Sequence, residues 1–403
     1  MSEIRIHVRM TARPVDEPHR ASSQLELLFD LTFVVAVASI VAQLAHGIEA
    51  GHAVAEITPF LEVFFAIWWA WMNFTWFASS YDTDDVTYRL LTLVQMAGVL
   101  VLAAGVPAAV NDGNLAAVTL GYLIMRVGLV AQWLRAGIED PGSRGTAFRY
   151  AAGISIVQVG WVLRLLLAEA GVLPKGLLLP VFVVLVVLEL TVPVVAERAV
   201  STTWHPHHIA ERYGLFTIIL LGESVLATSV GVATAIKGGV NGSLVTVSVS
   251  GLVLLFALWW LYFLQPAGEG LSRNREQSYL WGYGHYFIFA ALAALGAGLE
   301  VVVARTGHHA GASHVSSPTL CYAVAIPVGV FLVLLTAAHA PIAPAPRQVV
   351  HPAVTLVGAG LVLLLPLAST LTGPAFVIAA IAAVCVLAVA VTTVRQRTST
   401  PAQ

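Results

Sequence analysis

Charge is what this chain has least of. Only 10% of its 403 residues are Asp, Glu, Lys or Arg and 58% are hydrophobic, against about 25% charged in an ordinary soluble domain. A soluble protein of this length still needs a polar skin, and there is too little polar material to make one, which excludes a soluble enzyme. Cysteine is almost absent as well. Cys321 and Cys385 both sit in apolar runs and in no C-x-x-C pattern, which excludes a disulfide framework and a cysteine metal knuckle. The formal net charge is -2 and long basic runs are missing, so no nucleic-acid partner is expected. No apolar core follows the N-terminal arginines at once, so a cleaved signal peptide is not expected.

What fills the chain is apolar segments of membrane-crossing length. A window of about 19 residues picks out 24–46, 58–78, 88–110, 115–136, 148–169, 177–197, 210–235, 243–265, 278–304, 318–339, 353–371 and 375–394. Each is long enough, or nearly so, to cross about 30 Å of hydrocarbon as a helix, and in lipid a helix is the way for one segment to satisfy its own backbone. Thr372-Gly373-Pro374 parts the last two, where a re-entrant hairpin is the alternative. Twelve spans put Lys175, Lys237 and Arg305 on one side and Arg126 and Arg164 inside. The remaining arginines, from Arg5 to Arg397 and including Arg347, fall on the other. Such a bias places both termini in the cytoplasm of a cell inner membrane.

The halves echo each other. ELLFDLTFVVAVAS from Glu26 aligns with ERYGLFTIILLGES from Glu211, matching Thr32 to Thr217 and Ser39 to Ser224. One span later FAIWWAW, with Trp68 and Trp69, matches FALWWLY, with Trp259 and Trp260. The expected fold is therefore an all-α integral membrane protein of about twelve helices in two parallel six-helix repeats. A basic tail over 1–23 precedes the first repeat (24–197). The second repeat (198–394) is followed by a tail over 395–403.

Ionisable groups inside spans are costly, so they carry the functional expectations. Glu26 and Asp30 are four apart and share a helix face. Glu223 lies midway along its span beside Gly222 and Ser224. Glu211, His285 and Glu300 complete the set expected to move protons. Arg126 and Arg164 need anions, with Glu189 and Glu300 available, and Glu62 is also intramembrane. Arg126, Trp69 and Trp260 are candidate substrate-lining residues, although Trp pairs also suit an interfacial belt. Between the second and third spans, Tyr81-Asp82-Thr83-Asp84-Asp85 offers three carboxylates. They could hold a divalent metal, or Asp82 or Thr83 could simply cap the next helix. His205-Pro206-His207-His208, followed by Glu211, has helical metal-ligand spacing and equally suits a hydrogen-bonded pair.

Three segments together resemble the bacterial low temperature requirement protein A family: SQLELLFDLTFVVAV (23–37), YDTDDVTYRLLTLVQM (81–96) and HHIAERYGLFTIILLGESVLA (207–227). The family's Glu-x-x-Phe-Asp-Leu falls on Glu26, Phe29, Asp30 and Leu31. Its acidic motif falls on Asp82, Thr83, Asp84 and Asp85, and its Glu-Arg and Leu-Gly-Glu-Ser on Glu211, Arg212, Leu221, Gly222, Glu223 and Ser224. The later family His and Glu match His285 and Glu300. The resemblance implies a polytopic membrane protein connected with growth in the cold and brings no assigned chemistry with it.

Three functions stay open. One is a proton-coupled secondary transporter of a small molecule, using Glu26, Asp30, Glu211, Glu223, Ser224, His285 and Glu300. The second is a membrane-embedded enzyme on an isoprenoid or lipid diphosphate, with Asp82, Asp84 and Asp85 catalytic and a divalent metal among them. The third is a structural or sensing protein. The first two need a small or lipid-like substrate, and all three need a lipid bilayer.

Overall fold

The computed structural model describes residues 6–15, 17, 20–198, 200–237, 239–265, 267–306, 315–342 and 350–399. Arg5 and Arg347, used in the charge bias, lie outside the described residues, as do the outermost residues of both tails. Among the described residues there is no strand. The helices are α1 (Gln24–Glu49), α2 (Ala53–Tyr81), α3 (Val86–Asn111), α4 (Ala116–Glu139), α5 (Arg144–Glu169), α6 (Leu178–Ala196) and α7 (Pro206–Ile236), then α8 (Gly242–Phe263), the short α9 (Ala267–Arg273), α10 (Ser278–Thr306), α11 (Ser317–His339), α12 (Pro352–Leu364), α13 (Ser369–Thr372) and α14 (Pro374–Ser399). Among the described residues twelve helical segments are long and apolar enough to cross a membrane, as the hydropathy predicts.

The eleventh span is broken without being shortened. Pro366 sits in a 3-10 turn between α12 and α13, yet Pro352–Thr372 contains 21 residues, about 31 Å at 1.5 Å per residue. Gly373, at φ 81, then ends α13 and lets α14 start at Pro374. Both segments are of spanning length, so no hairpin is required here.

Helix starts follow local chemistry. Asp85 caps α3, its carboxylate accepting from the Tyr88 N–H at 2.9 Å. Asn241 caps α8 in the same way through the Leu244 N–H at 2.8 Å. At α1, Ser23 and Glu26 form a reciprocal capping box: the Ser23 N–H donates to Glu26 Oε2 at 2.6 Å and the Glu26 N–H donates to Ser23 Oγ at 3.3 Å.

The chain divides into two compact units, Met1–Ile40 with Pro59–Arg212, and Val41–Thr58 with Tyr213–Gln403. In the first, α3 packs on α4, α4 on α5 and α5 on α6. Glycine sets the closest approach. A Cβ on Gly121 of α4 would lie 2.4 Å from the Leu102 backbone N and 2.5 Å from the Gly98 carbonyl oxygen of α3, so only a bare Cα fits. In the second unit, α10 packs on α11, α11 on α12, and α14 on α8 and α12.

The tail before α1 is more than a charged overhang. The Val8 N–H donates to Asp85 Oδ2 at 2.8 Å, Arg9 Nε donates to the Glu139 carbonyl at 2.8 Å, and the Arg13 N–H donates to the Ser80 carbonyl at 2.9 Å. It straps together the adjacent ends of α2, α3 and α4.

Candidate functional site

In the first unit, α1, α2 and α7 bring one set of charges together. Glu26 and Asp30 project from one face of α1, because four residues nearly complete a turn. His208 and Arg212 share a face of α7 for the same reason. His208 Nε2 lies 2.9 Å from Glu26 Oε1. Arg212 Nη1 lies 3.4 Å from the same oxygen. Arg212 Nη2 donates to Asp30 Oδ1, which also accepts from Trp71 Nε1 of α2 at 2.7 Å. Arg20 closes the cluster, with Nη2 3.4 Å from Glu26 Oε1 and 3.5 Å from Asp82 Oδ2. Glu26, His208 and Arg212 are fully buried.

The charges do not cancel. Three carboxylates (Glu26, Asp30, Asp82) face two guanidiniums (Arg20, Arg212). Arg13 lies 3.8 Å from Asp82 but is paired with Glu17. With His208 neutral, one negative charge is left over, and one proton on Asp82 or His208 removes it. Burial pushes the Asp82 carboxyl up to about 6, with Glu26 adding to the rise and Arg20 and Arg13 opposing it. Several buried polar atoms here have no hydrogen-bond partner, among them Asp30 Oδ2, Asp82 Oδ1 and the Tyr88 hydroxyl. The Tyr88 ring is fully buried, and its hydroxyl feels the charges of Asp82, Glu26, Arg20 and Arg212.

The acidic motif does not act as one group. Asp82 turns into the cluster. Asp84 adopts φ 49 and pairs outward with Arg89 at 2.8 Å. Asp85 caps α3 and binds Arg135. Burial raises the Asp85 carboxyl, but Arg135 and the N–H groups of Tyr88 and Val8 outweigh it and hold the group at about 2. Among the described residues no set of three His, Cys, Asp or Glu side chains is placed to share a metal. The divalent ion considered for Asp82, Asp84 and Asp85 therefore has no common cage. The reason is that α3 claims Asp85 as its cap while the left-handed turn at Asp84 sends that side chain outward.

The remaining expected residues fall elsewhere. Glu211 is exposed and accepts from the Ser22 N–H at 3.4 Å. Arg126 faces Glu189 at 3.6 Å, and Arg164 meets Glu62 at 3.9 Å. Glu189 also accepts from Trp69 Nε1 at 2.8 Å, the Tyr122 hydroxyl at 2.8 Å and Trp161 Nε1 at 3.1 Å. Trp69 is thus a buried hydrogen-bond donor. Trp260, its supposed counterpart, is 49% exposed.

In the second unit, Glu223 is buried with Oε2 unpartnered. Ser224 donates to the Leu220 carbonyl at 3.0 Å. Glu300 lies within electrostatic reach of Glu223 and Glu49. His285 is fully buried, bonded through Nδ1 to the Trp281 carbonyl at 2.7 Å, with its ring centroid 5.8 Å from that of His339.

Arg20, Trp71, Tyr88 and His339 were not expected at any site. Arg20 reads as one more tail arginine, and Trp71 and Tyr88 as ordinary aromatics. Arg212 did carry a signal: it stands four residues after His208, so the two must share a helix face.

The family model for the bacterial low temperature requirement A protein (LtrA) matches residues 21–391. An uncharacterized protein of Rhizobium meliloti (strain 1021) is 29% identical over 297 residues, covering 70% of this chain and 69% of the relative.

Proposed function

We propose that this chain, which belongs to the bacterial low temperature requirement A family, is a proton-coupled secondary transporter of a small molecule. The observation that carries the reading is the unbalanced buried cluster of Glu26, Asp30, Asp82, Arg20, Arg212 and His208. Buried ionisable groups in a membrane protein are kept at a cost. A purely structural network would have its charges matched, whereas this one is matched only when it holds a proton. Asp82, near pH 6 for half-protonation, is the member best suited to exchange that proton at ordinary pH. In the second unit Glu223 and Glu300 add two more intramembrane carboxylates, and among the described residues neither makes an ion pair.

The proposal includes two parallel six-helix repeats. Besides the paired motifs, its support is the pairing pattern: the third span packs most extensively on the fourth, and the ninth on the tenth. It also includes an inner-membrane location with both termini cytoplasmic, from the arginine bias. The enzyme reading keeps one support, since Asp82 and Glu26 share Arg20, while Asp84 points outward.

The test is uptake into proteoliposomes from a panel of labelled amino acids, sugars and organic cations, with and without an imposed pH gradient. Wild type is compared with Asp82→Asn and Glu26→Gln. Gradient-driven accumulation that is lost in both variants is expected. Uptake indifferent to the gradient and to both substitutions removes the proton-coupled reading.

A further inference from the structure

A groove of about 500 Å³ runs between α4 and α5 in the first unit. Its walls are aliphatic. Val127, Leu134, Val159 and Leu163 expose between 43% and 58% of their surface, as side chains facing lipid should. Two polar side chains lie beneath it. Arg126 is 2% exposed and Gln158 is 5% exposed, and both line the groove. Arg126 Nε and Nη1 have no hydrogen-bond partner, and neither does the oxygen or the nitrogen of the Gln158 amide. Buried polar groups are nearly always satisfied, and in hydrocarbon no bulk water can do it. A lipid acyl chain would fill the groove and leave all four atoms bare.

The chemistry of the floor defines what would satisfy them. Arg126 can only donate, and the Gln158 amide both donates and accepts. The guanidinium charge already faces Glu189 at 3.6 Å and lies over the Tyr122 ring at 4.4 Å. A second anion would leave the site net negative in a low-dielectric setting. The fitting head is therefore neutral and oxygen-bearing. A carbonyl accepts from Arg126 and Gln158, and a hydroxyl also donates to the Gln158 oxygen. A long apolar chain suits the walls, and the volume is within the range of small-molecule sites. We propose that the α4–α5 groove binds a prenyl quinone or its quinol, head down on Arg126 and Gln158. This goes beyond the transport reading and does not depend on it.

The test uses purified protein in nanodiscs and decyl-ubiquinone as the probe, with bound quinone measured by absorbance after gel filtration. Palmitate at neutral pH is the anionic competitor. Wild type should bind saturably at about one per chain, and palmitate should not displace the quinone. Gln158→Leu, which keeps side-chain bulk and removes the amide, should weaken binding at least tenfold. Val159→Trp, which blocks the wall and leaves the floor intact, should abolish it. Circular dichroism and gel filtration confirm that each variant is folded. If Val159→Trp does not fold, Gln158→Leu decides alone. Non-saturable uptake, equal binding by wild type and Gln158→Leu, or displacement by palmitate overturns the proposal and leaves the groove a lipid-tail slot.

Discussion

Replacing Arg212 with methionine removes one charge from the buried cluster at nearly constant volume. Arg212 is fully buried and faces two carboxylates, Glu26 at 3.4 Å and Asp30 through a direct hydrogen bond. At an effective dielectric of about 20, the Glu26 pair alone is worth about 5 kcal/mol of gross attraction at 3.4 Å. Much of that offsets the cost of burying the charges. Removing one partner leaves the desolvation cost in place, and such losses are about 3–5 kcal/mol. Glu26 keeps His208 and Arg20, and Asp30 keeps Trp71. The loss should therefore sit at the lower end, about 3 kcal/mol. The assay is equilibrium unfolding in mixed micelles, followed by circular dichroism. Asp30→Asn in the Arg212→Met background should recover about 1–2 kcal/mol, because the stranded carboxylate is gone. A loss below about 1 kcal/mol, or strict additivity in the double variant, would refute the view that these charges hold one another in place.

Other consequences concern pH, packing and the acidic motif. Asp82 is held up near 6, so the stability contributed by its protonated form is present at low pH and lost as pH rises from about 4 to about 6. Asp82→Asn should flatten the melting temperature across that window. Asp85 runs the other way: it is held down at about 2, so its contribution is present at neutral pH and lost as pH falls from about 4 toward 2. Asp85→Asn keeps an oxygen that can cap α3 but loses the charge bound by Arg135, so it should cost at least about 1.5 kcal/mol at pH 7, with the deficit closing in acid. Gly121→Val should cost about 2 kcal/mol or more in unfolding titrations, because its Cβ has no room against α3. Asp84→Asn, which keeps a side chain that tolerates the left-handed backbone at φ 49, should change unfolding stability by less than about 0.5 kcal/mol, and a large loss would mean that Asp84 does more than pair with Arg89 at the surface.

The sequence by itself determined the spans, because lipid leaves a lone apolar segment no alternative to the helix. It pointed to a cap before α3 but at Asp82 or Thr83, whereas Asp85 takes that place through the Tyr88 N–H three residues on. It also showed which charges are expensive, and Glu26 and Asp30 had to share a face at a spacing of four. Partner choice was decided only in three dimensions. Asp82 and Asp85 stand three residues apart, yet one turns toward Arg20 and Glu26 while the other is taken by Arg135 and the tail at Val8. Glu211 and Arg212 are neighbours, but the helix turns by about 100° per residue, so Arg212 is buried and Glu211 faces outward. The opening shortage of charge therefore has a tertiary meaning. With so few charges available, packing gathers five of them and a histidine into one cluster around α1, α2 and α7, and hydropathy carries no term for contacts between residues 182 positions apart.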